Sequence, residues 1–343
     1  MGAKATVLVA DADVAKDIQI KDFHNFTDRA NLKLKGGPFG DSRFDESFLI
    51  LRGKRWKKVR SVSTPTFSAS KLKTMTPIID DAFKNFIHII DKRSKTGHEF
   101  DIYGNENEVQ INAQNKDTND LKDSKQHKNE ISLTDSEVLA NSTTLYLAGY
   151  ETTSTALGYM SHIFVKYPDI QERVRQEVQK LQESDGILDY NTVQKLDFMD
   201  CVLKETFRFY SPIVTFVARE CHEDYKLNDT IVIPKGSSVV VDVHYLHYSP
   251  DYCCEPEVFD PMRFSADRKH EIYPNSWQPF GSGPRNCIGM RFALLVVKLS
   301  LVKLLLNYRL ISGAKTETAN FSLTTTIFTQ SPSNGIFLKV AQL

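Results

Sequence analysis

The stretch that decides the fold is PFGSGPRNCIG, residues 279–289, which leads directly into the apolar run MRFALLVVKLSLVKLLL. Two glycines and a proline before Cys287 favour a tight loop whose backbone N–H groups can point at one sulfur. A helix that starts just after this sulfur brings its positive N-terminal dipole there, which stabilises an anion. The segment therefore predicts a cysteine held ready as a thiolate.

Three interpretations of Cys287 are open from the residues alone. Most cysteines are small buried apolar residues, and the other four keep that interpretation: Cys201, Cys221, Cys253 and Cys254. A cysteine-nucleophile hydrolase would also use a helix N-terminus but needs a histidine base, and no feature ties any of the nine histidines to Cys287. A thiolate in such a cradle also suits an axial haem ligand, which favours O–O cleavage.

Composition excludes several classes of protein. The 343 residues are 41% hydrophobic, enough for one large or two modest domains. Lys+Arg and Asp+Glu are equal at 43 each, so nothing in the charge recruits nucleic acid. The five cysteines form no C-x-x-C pair, which argues against a structural zinc, an iron–sulfur cluster or a disulfide scaffold. Without a signal peptide or an apolar run of bilayer length, we expect a soluble or peripheral chain.

Periodicity predicts mostly helices. A strand is expected in ATVLVA (5–10), followed by a helix from Asp13, and the apolar spacing over 71–90 predicts an amphipathic helix. A capping box at Thr134–Glu137 opens a long helix that Pro168 ends. Further helices are expected over 169–184, 198–209 and 290–306, and residues 230–243 predict a hairpin around Pro-Lys-Gly.

Residues 104–130 differ in kind from the rest. The segment is almost wholly polar and lacks aromatic residues, which is typical of a disordered or loosely held connection. A connection of this length is unusual inside a compact domain.

The pattern Phe280-x-x-Gly283-x-x-x-Cys287-x-Gly289 closely resembles the haem-binding loop of the cytochromes P-450. The resemblance implies a mainly α fold with small β-sheets, haem b as the cofactor, and Cys287 as the ligand of its iron. It also implies that Phe280 and Gly289 contact the haem.

Other stretches add to the resemblance. Glu205-x-x-Arg208, followed by Arg263, looks like the structural Glu-Arg-Arg network of the family, although an isolated pair of this kind is usually a surface pair. AGYETT (148–153) resembles the oxygen-binding helix, where Ala148 would make room over the iron and Glu151 and Thr152 would organise protons. A slightly polar core helix is the alternative for that motif.

The resemblance also implies contacts to the haem propionates. Trp56 and Arg60 stand one helical turn apart, so an indole N–H and a guanidinium can reach the same acidic group. The residues expected at the propionates are Trp56, Arg60, Arg219 and Arg285, with Arg29 as a weaker candidate. The residues expected at the substrate pocket are Val214, Thr215, Phe216, Thr325, Thr326 and Ile327.

The chain looks most like the microsomal branch that includes thromboxane synthase and the broad drug-oxidising enzymes. This implies a monooxygenase of xenobiotic metabolism that uses O2, a lipophilic substrate and an NADPH-dependent flavoprotein reductase. The endoplasmic reticulum membrane, cytosolic face, is the implied location, with peripheral membrane contact, although the chain as written could be cytosolic. The reductase would dock on a basic cluster, for which a plain solvated face is the alternative: Lys54, Arg55, Lys57 and Lys58.

The resemblance covers residues 5–103 and 131–343 of a single domain, 1–343. Residues 1–103 form the N-terminal part, and 131–343 form the haem-binding core. By the resemblance, we expect the polar linker 104–130 to stand where the family has the helices that roof the substrate, and we expect no counterpart of the family's membrane anchor before Met1. This departure leaves a second interpretation open, an inactive truncated haem-binding remnant.

Overall fold

The computed structural model describes residues 5–30, 44–104, 133–213, 218–319, 322–325 and 329–343. The α-helices in these ranges are α1 (Ala12–Lys16), α2 (Gly53–Ser63), α3 (Ala69–Thr96), α4 (Asp135–Lys166), α5 (Pro168–Asp185), α6 (Asp197–Phe209), α7 (Val243–Tyr248) and α8 (Met290–Asn307). The strands are β1 (Thr6–Val9), β2 (Phe100–Asp101), β3 (Ala218–Glu220), β4 (Tyr225–Lys226), β5 (Val232–Ile233), β6 (Ser238–Val241), β7 (Tyr308–Ile311), β8 (Leu323–Thr325), β9 (Gln330–Pro332) and β10 (Phe337–Gln342).

Helix α4 runs through the main core. The predicted capping box is present, since Thr134 accepts from the N–H of Glu137 and the Glu137 carboxylate accepts from the N–H of Thr134. Every residue from Thr153 to Val165 is buried, so this half of the helix is covered on all sides. It packs against α5, α6 and α8, and these helices together with α3 bury most of the apolar side chains. Burial of that surface is the main driving force for the fold.

The predicted helices are confirmed, and their predicted bounds agree within two residues except in α3, which continues to Thr96 instead of ending at residue 90. In α3, Ile79, Phe83, Phe86 and Ile90 face the core at the spacing that predicted an amphipathic helix. The mainly α fold with small sheets is also confirmed, because the strands are two to six residues long. The linker predicted at 104–130 lies outside the described residues apart from Gly104.

The hairpin predicted over residues 230–243 is wrong in its pairing. Both strands exist, but β5 pairs with β4, while β6 lies between β1 and β3. β6 is parallel to β1, with Thr6 opposite Ser238, and antiparallel to β3. All four β6 residues are buried, and a buried strand needs a hydrogen-bonding partner on each edge. The remaining sheets are β2-β10-β7 and β8-β9.

In the part of the chain that the structure describes, none of the helices combines the length and apolar character needed to span a bilayer.

Candidate active site

The cysteine loop is closed by its own backbone. The N–H of Cys287 donates to the carbonyl oxygen of Phe280 at 2.8 Å, and the N–H of Asn286 donates to that of Gly283 at 3.0 Å. Gly283 has a φ of +72°, in the left-handed region that side chains rarely allow. A Cβ on Gly283 would stand 2.0 Å from the carbonyl oxygen of Gln19, so only glycine fits at this position.

Cys287 is accessible to solvent and lines a cavity at the start of α8. Burial by the surrounding protein raises the pKa of its thiol. The backbone amides of Gly289 and Met290 and the charges of Arg60 and Arg29 act in the opposite direction, because each favours the thiolate. The predicted amide groups around the sulfur are present, but the effect of burial outweighs them, so the prediction of a thiolate held ready by the loop alone is wrong. A cation bonded to the sulfur would supply the missing stabilisation of its negative charge.

The cavity has a volume of about 280 Å³ and a largely apolar wall. Segments far apart in sequence meet there, namely Arg29, residues around 48, α2 with Phe67, the middle of α4, residues between 207 and 219, and the cysteine loop with α8. Its apolar lining residues include Phe48, Leu49, Phe67, Leu145, Ala156, Phe207, Ile213, Phe292 and Val297. A space of this size and polarity is typical of a site for a large, mainly apolar ligand.

Four arginines also line this cavity, Arg29, Arg60, Arg219 and Arg285. Arg219 is 1% exposed and donates to the carbonyl oxygen of its neighbour Ala218 at 3.1 Å, while its Nε has no hydrogen-bond partner among the described residues. Burial lowers the pKa of Arg219 to about 10 and is also the largest cause that lowers the pKa of Arg285, to about 9. Buried guanidinium groups are stabilised by anionic partners, so this apolar cavity favours a ligand that carries negative charge.

Arg60 and Arg285 also hold the loop itself. Arg60 donates to the carbonyl and side-chain oxygens of Asn286 at 2.9 and 3.0 Å. Arg285 donates to the carbonyl oxygens of Thr27 and Leu51 at 2.7 and 2.9 Å and lies 3.4 Å from the carboxylate of Asp28. These bonds tie the cysteine loop to the N-terminal part of the chain.

Trp56 belongs to helix α2 and contacts Arg285 of the cysteine loop. It is buried, and its ring centroid is 4.0 Å from the guanidinium carbon of Arg285, a cation–π contact. Both Trp56 and Arg60 line the cavity from α2, one helical turn apart, as their spacing predicts. The predicted propionate residues are thus brought together from four distant parts of the sequence.

Helix α4 supplies the Thr152 side of the site. Ala148, Gly149 and Thr152 line the cavity, and the Thr152 hydroxyl donates to the carbonyl oxygen of Ala148 at 2.6 Å. The Glu151 carboxylate instead accepts from the hydroxyl of Thr329 at 2.8 Å and does not contribute to the cavity wall. The structure therefore brings Thr152 to the site and holds Glu151 beside it.

Glu205, Arg208 and Arg263 form one buried network next to the loop. Arg208 donates to both Glu205 carboxylate oxygens at 2.8 and 2.9 Å, and Arg263 donates to one of them at 3.1 Å. All three side chains are buried, which distinguishes this pair from an ordinary surface pair. Arg208 also donates to the carbonyl oxygen of His247, whose Nε2 accepts from the N–H of Gln278 just before the loop.

The remaining predicted residues belong to the substrate pocket and to the docking cluster for the reductase. Thr325 is exposed on β8 and does not line the cavity, while the remaining predicted pocket residues lie outside the described residues: Val214, Thr215, Phe216, Thr326 and Ile327. In the predicted docking cluster, Lys54 and Lys57 are exposed, Lys58 is half-buried, and Arg55 pairs with Glu137.

Several lining residues were missed by sequence reasoning. Phe48 and Leu49 belong to the short apolar run FLIL, which carries no motif, and Ile213 directly precedes the segment that was predicted. Nothing in the sequence marks Phe48 as different from a core phenylalanine, so no signal could have found it. The hydrolase interpretation lacks a base, because no histidine is among the described residues that line the cavity.

These features fit a haem. The apolar wall suits a porphyrin, and the thiol of Cys287 would be available as a sulfur ligand for its iron. The buried Nε of Arg219 has no hydrogen-bond partner among the described residues and would be available to a propionate. Groups of three or more metal-ligating side chains do not occur in the described ranges.

Comparison with known proteins gives one family. The model for Cytochrome P450 matches residues 1–113 and 104–338. Cytochrome P450 3A6 of Oryctolagus cuniculus is 40% identical over 201 residues, which are 59% of this chain and 38% of that protein. Cytochrome P450 3A29 of Sus scrofa is 28% identical over 427 residues, with 99% of this chain and 83% of that protein covered. The match to the rabbit protein thus spans less than two fifths of that relative's length.

Proposed function

Because the chain belongs to the cytochrome P450 family, we propose that it is a haem-thiolate monooxygenase with Cys287 as the iron ligand. The reaction inserts one oxygen atom from O2 into a lipophilic small molecule, with electrons from an NADPH-dependent flavoprotein reductase. The observation that carries the proposal is that the Cys287 thiol and four arginines line one apolar cavity. That combination supports haem b, held by its sulfur ligand at one point and by its two carboxylates at others.

Each arginine has a separate task in this proposal. Arg219 would donate its unpartnered Nε to a propionate, and Arg29 and Arg60 would add positive charge at the same end of the ligand. Arg285 and Trp56 would contact the propionates while they hold the loop against α2. When bound, the haem would supply the iron chemistry that activates O2, which is the oxidant of the reaction.

Thr152 is proposed to hold a proton at its Oγ1. Its hydroxyl donates to the carbonyl oxygen of Ala148, and rotation of the hydroxyl about its Cβ–Oγ1 bond would present the proton to the cavity instead. Glu151, held by Thr329 on the neighbouring segment, would replace the proton that Thr152 gives up. The apolar lining excludes bulk water and favours a lipophilic substrate. Phe280 and Gly289 would contact the haem from the loop.

The reductase is proposed to dock where Lys54 and Lys57 are exposed on α2, with Lys58 and Arg55 beside them. Complementary charge would guide an acidic partner to this face. We also propose the endoplasmic reticulum membrane, cytosolic face, as the location, because curated relatives belong to the same family.

A non-catalytic haem-binding protein is the second candidate. The two family matches overlap only at residues 104–113, where the polar segment begins, and the match to the rabbit relative covers little of its length. We propose a division into an N-terminal part, 1–103, a linker, 104–130, and a haem-binding core, 131–343. Loss of the helices that roof the substrate would leave haem binding intact and remove turnover.

The test is a turnover assay with haem-loaded protein, reductase, NADPH and a lipophilic probe. We expect an oxygenated product whose oxygen comes from O2 and whose formation is lost in Cys287→Ala. Thr152→Ala should release more peroxide per NADPH consumed, while Thr152→Ser, which keeps the hydroxyl, should not. Haem binding without product would favour the second candidate, and unchanged coupling in Thr152→Ala would contradict the proton role.

A further inference from the structure

Two adjacent thiols, Cys253 and Cys254, lie outside the site described above. All five cysteines of the chain are free thiols, and Cys201 and Cys221 are buried. Cys254 is exposed and Cys253 is half-buried, in the loop between α7 and the 3₁₀ turn Pro261–Phe264. Reagents can therefore reach this pair from solvent.

Both cysteines line the same small pocket, of about 40 Å³. Arg208 and Arg263 form part of its wall, together with the rings of Tyr252 and Trp277. Burial raises the pKa of the Cys253 thiol, whereas the charges of Arg208 and Arg263 act in the opposite direction. The two guanidinium groups oppose the effect of burial on the Cys253 thiol without outweighing it, so the pocket holds two neighbouring thiols beside positive charge.

The number of ligands decides which partner fits. Structural zinc requires four protein ligands, and groups of three or more His, Cys, Asp or Glu side chains that could hold a metal do not occur in the described residues. A soft, thiophilic atom that bonds to two sulfurs needs only two neighbouring cysteines. Trivalent arsenic is such an atom, since soft thiolate ligands prefer soft, thiophilic acceptors.

We propose that Cys253 and Cys254 form a dithiol site for trivalent arsenicals. With an organic arsenous oxide, two As–S bonds form and the arsenic–oxygen bond breaks. The two thiol protons leave with that oxygen as one molecule of water. Arsenic stays trivalent and both sulfurs keep their oxidation state, so the step needs no oxidant or reductant.

An adduct at this pair would reach the buried network through the backbone. The carbonyl oxygens of Cys254 and Glu255 accept from Arg263 at 2.9 and 3.4 Å, and Arg263 in turn donates to Glu205 at 3.1 Å. Glu255 has a φ of +47°, a strained turn directly after the two thiols. Movement of this loop would therefore be transmitted to Arg263 and Glu205.

The test is intact-mass analysis of the haem-loaded protein with phenylarsine oxide as the probe. We expect one adduct with the loss of one water and of two titratable thiols, stable to excess glutathione and removed by a dithiol. Cys253→Ser and Cys254→Ser should each weaken binding at least tenfold, and the double variant should abolish it. Cys201→Ser and Cys221→Ser are matched controls that should keep the adduct.

An adduct that persists in the double variant, or one that glutathione removes from the unmodified chain, would overturn the proposal. The readout involves no turnover, so its failure is separate from any failure of the monooxygenase proposal.

Discussion

At the scale of single residues, the burial of Arg219 is the feature that contacts within the protein explain least. Arg219 is fully buried, its Nε lacks a partner among the described residues, and burial lowers its pKa to about 10. A buried charge without a partner destabilises a protein unless a ligand supplies the counter-charge. In the proposed haem complex a propionate would supply this counter-charge, so we propose that Arg219 stabilises the haem-loaded protein more than the haem-free protein.

Arg219→Met should separate these two effects. Without haem, we expect the variant to be more stable by about 1–3 kcal/mol, because an unpaired charge is replaced by an apolar side chain. With haem, we expect faster cofactor loss, since a propionate loses its donor. Arg309→Met removes a surface arginine that is paired with Glu172 and should change stability by less than about 1 kcal/mol. A loss of stability in the cofactor-free Arg219 variant would contradict this account.

His247 predicts an acid sensitivity of the fold. It is buried, and burial is the largest cause that lowers its pKa, to about 3, with the charge of Arg208 acting in the same direction. Between about pH 6.5 and about pH 3, His247 binds a proton in the unfolded chain but stays neutral in the folded chain. The free energy of unfolding should therefore decrease as the pH falls from about 6.5 towards 3, by up to about 1.4 kcal/mol per pH unit for this group.

Urea unfolding between pH 4.5 and 7 tests this. His247→Gln should weaken the decrease in stability at low pH, although His162, whose pKa burial also lowers to about 3, keeps part of it. The exposed His98→Gln serves as the control and should leave the slope unchanged. Equal slopes in the His247 variant and the unmodified chain would show that His247 does not carry the effect.

At the scale of elements, two glycines of the cysteine loop differ in a measurable way. Both have positive φ, but a Cβ on Gly281 would meet only the Cα of Asn286 at 3.9 Å. A Cβ on Gly283 would instead overlap the backbone of Gln19. Gly281 is thus required by conformation alone, and Gly283 by conformation and by close packing of the loop against the N-terminal part.

Gly283→Ala should destabilise the protein more than Gly281→Ala. We expect about 1–2 kcal/mol for the strained φ in Gly281→Ala, and about 1–3 kcal/mol more in Gly283→Ala from the overlap. Thermal unfolding of the two variants measures the difference. Equal losses would mean that the contact between Gly283 and Gln19 is not made in solution.

Sequence patterns predict elements better than they predict partners. The capping box of Thr134 and Glu137 and the apolar spacing of α3 are local, so the helices could be foreseen. The partner of β6 could not, because β1 lies more than 200 residues earlier and pairs with it in parallel. The hairpin interpretation used only neighbouring strands.

The residues of the candidate site fall into the same two groups, those that a local motif predicts and those whose place depends on tertiary contacts. Cys287 belongs to a motif and could be predicted, while the arginines entered only through the family resemblance. Phe48 could not be identified, because its place in the cavity depends on how residues 44–51 pack against α2 and α4. Such information exists only in the tertiary structure.

At the scale of the whole molecule, Glu205 links segments of the chain that are far apart in sequence. Glu205 and Arg208 both lie on α6, and Arg208 links Glu205 to α7 by donating to the carbonyl oxygen of His247. Arg263 links Glu205 to the loop at 254–258 by donating to carbonyl oxygens there. The Oε1 of Glu205 also accepts from the N–H of Asp260 at 2.9 Å. Removing the charge would leave two buried guanidinium groups without compensation.

Glu205→Gln should therefore cost about 3 kcal/mol or more, the range seen when one partner of a buried ion pair is removed. Urea unfolding measures this loss. Glu172→Gln is the matched control, because Glu172 pairs with Arg175 and Arg309 at the surface and should contribute less than about 1 kcal/mol. A small effect at Glu205, equal to that at Glu172, would contradict the structural role of the network.

The central claim is that Cys287 binds haem iron as a thiolate, and the absorption spectrum of the reduced, CO-bound protein tests it most directly. We predict the red-shifted Soret band characteristic of thiolate ligation in the unmodified chain, and its absence in Cys287→Ala. A Soret band typical of a neutral axial ligand, no haem uptake, or a thiolate band that survives in Cys287→Ala would contradict the claim.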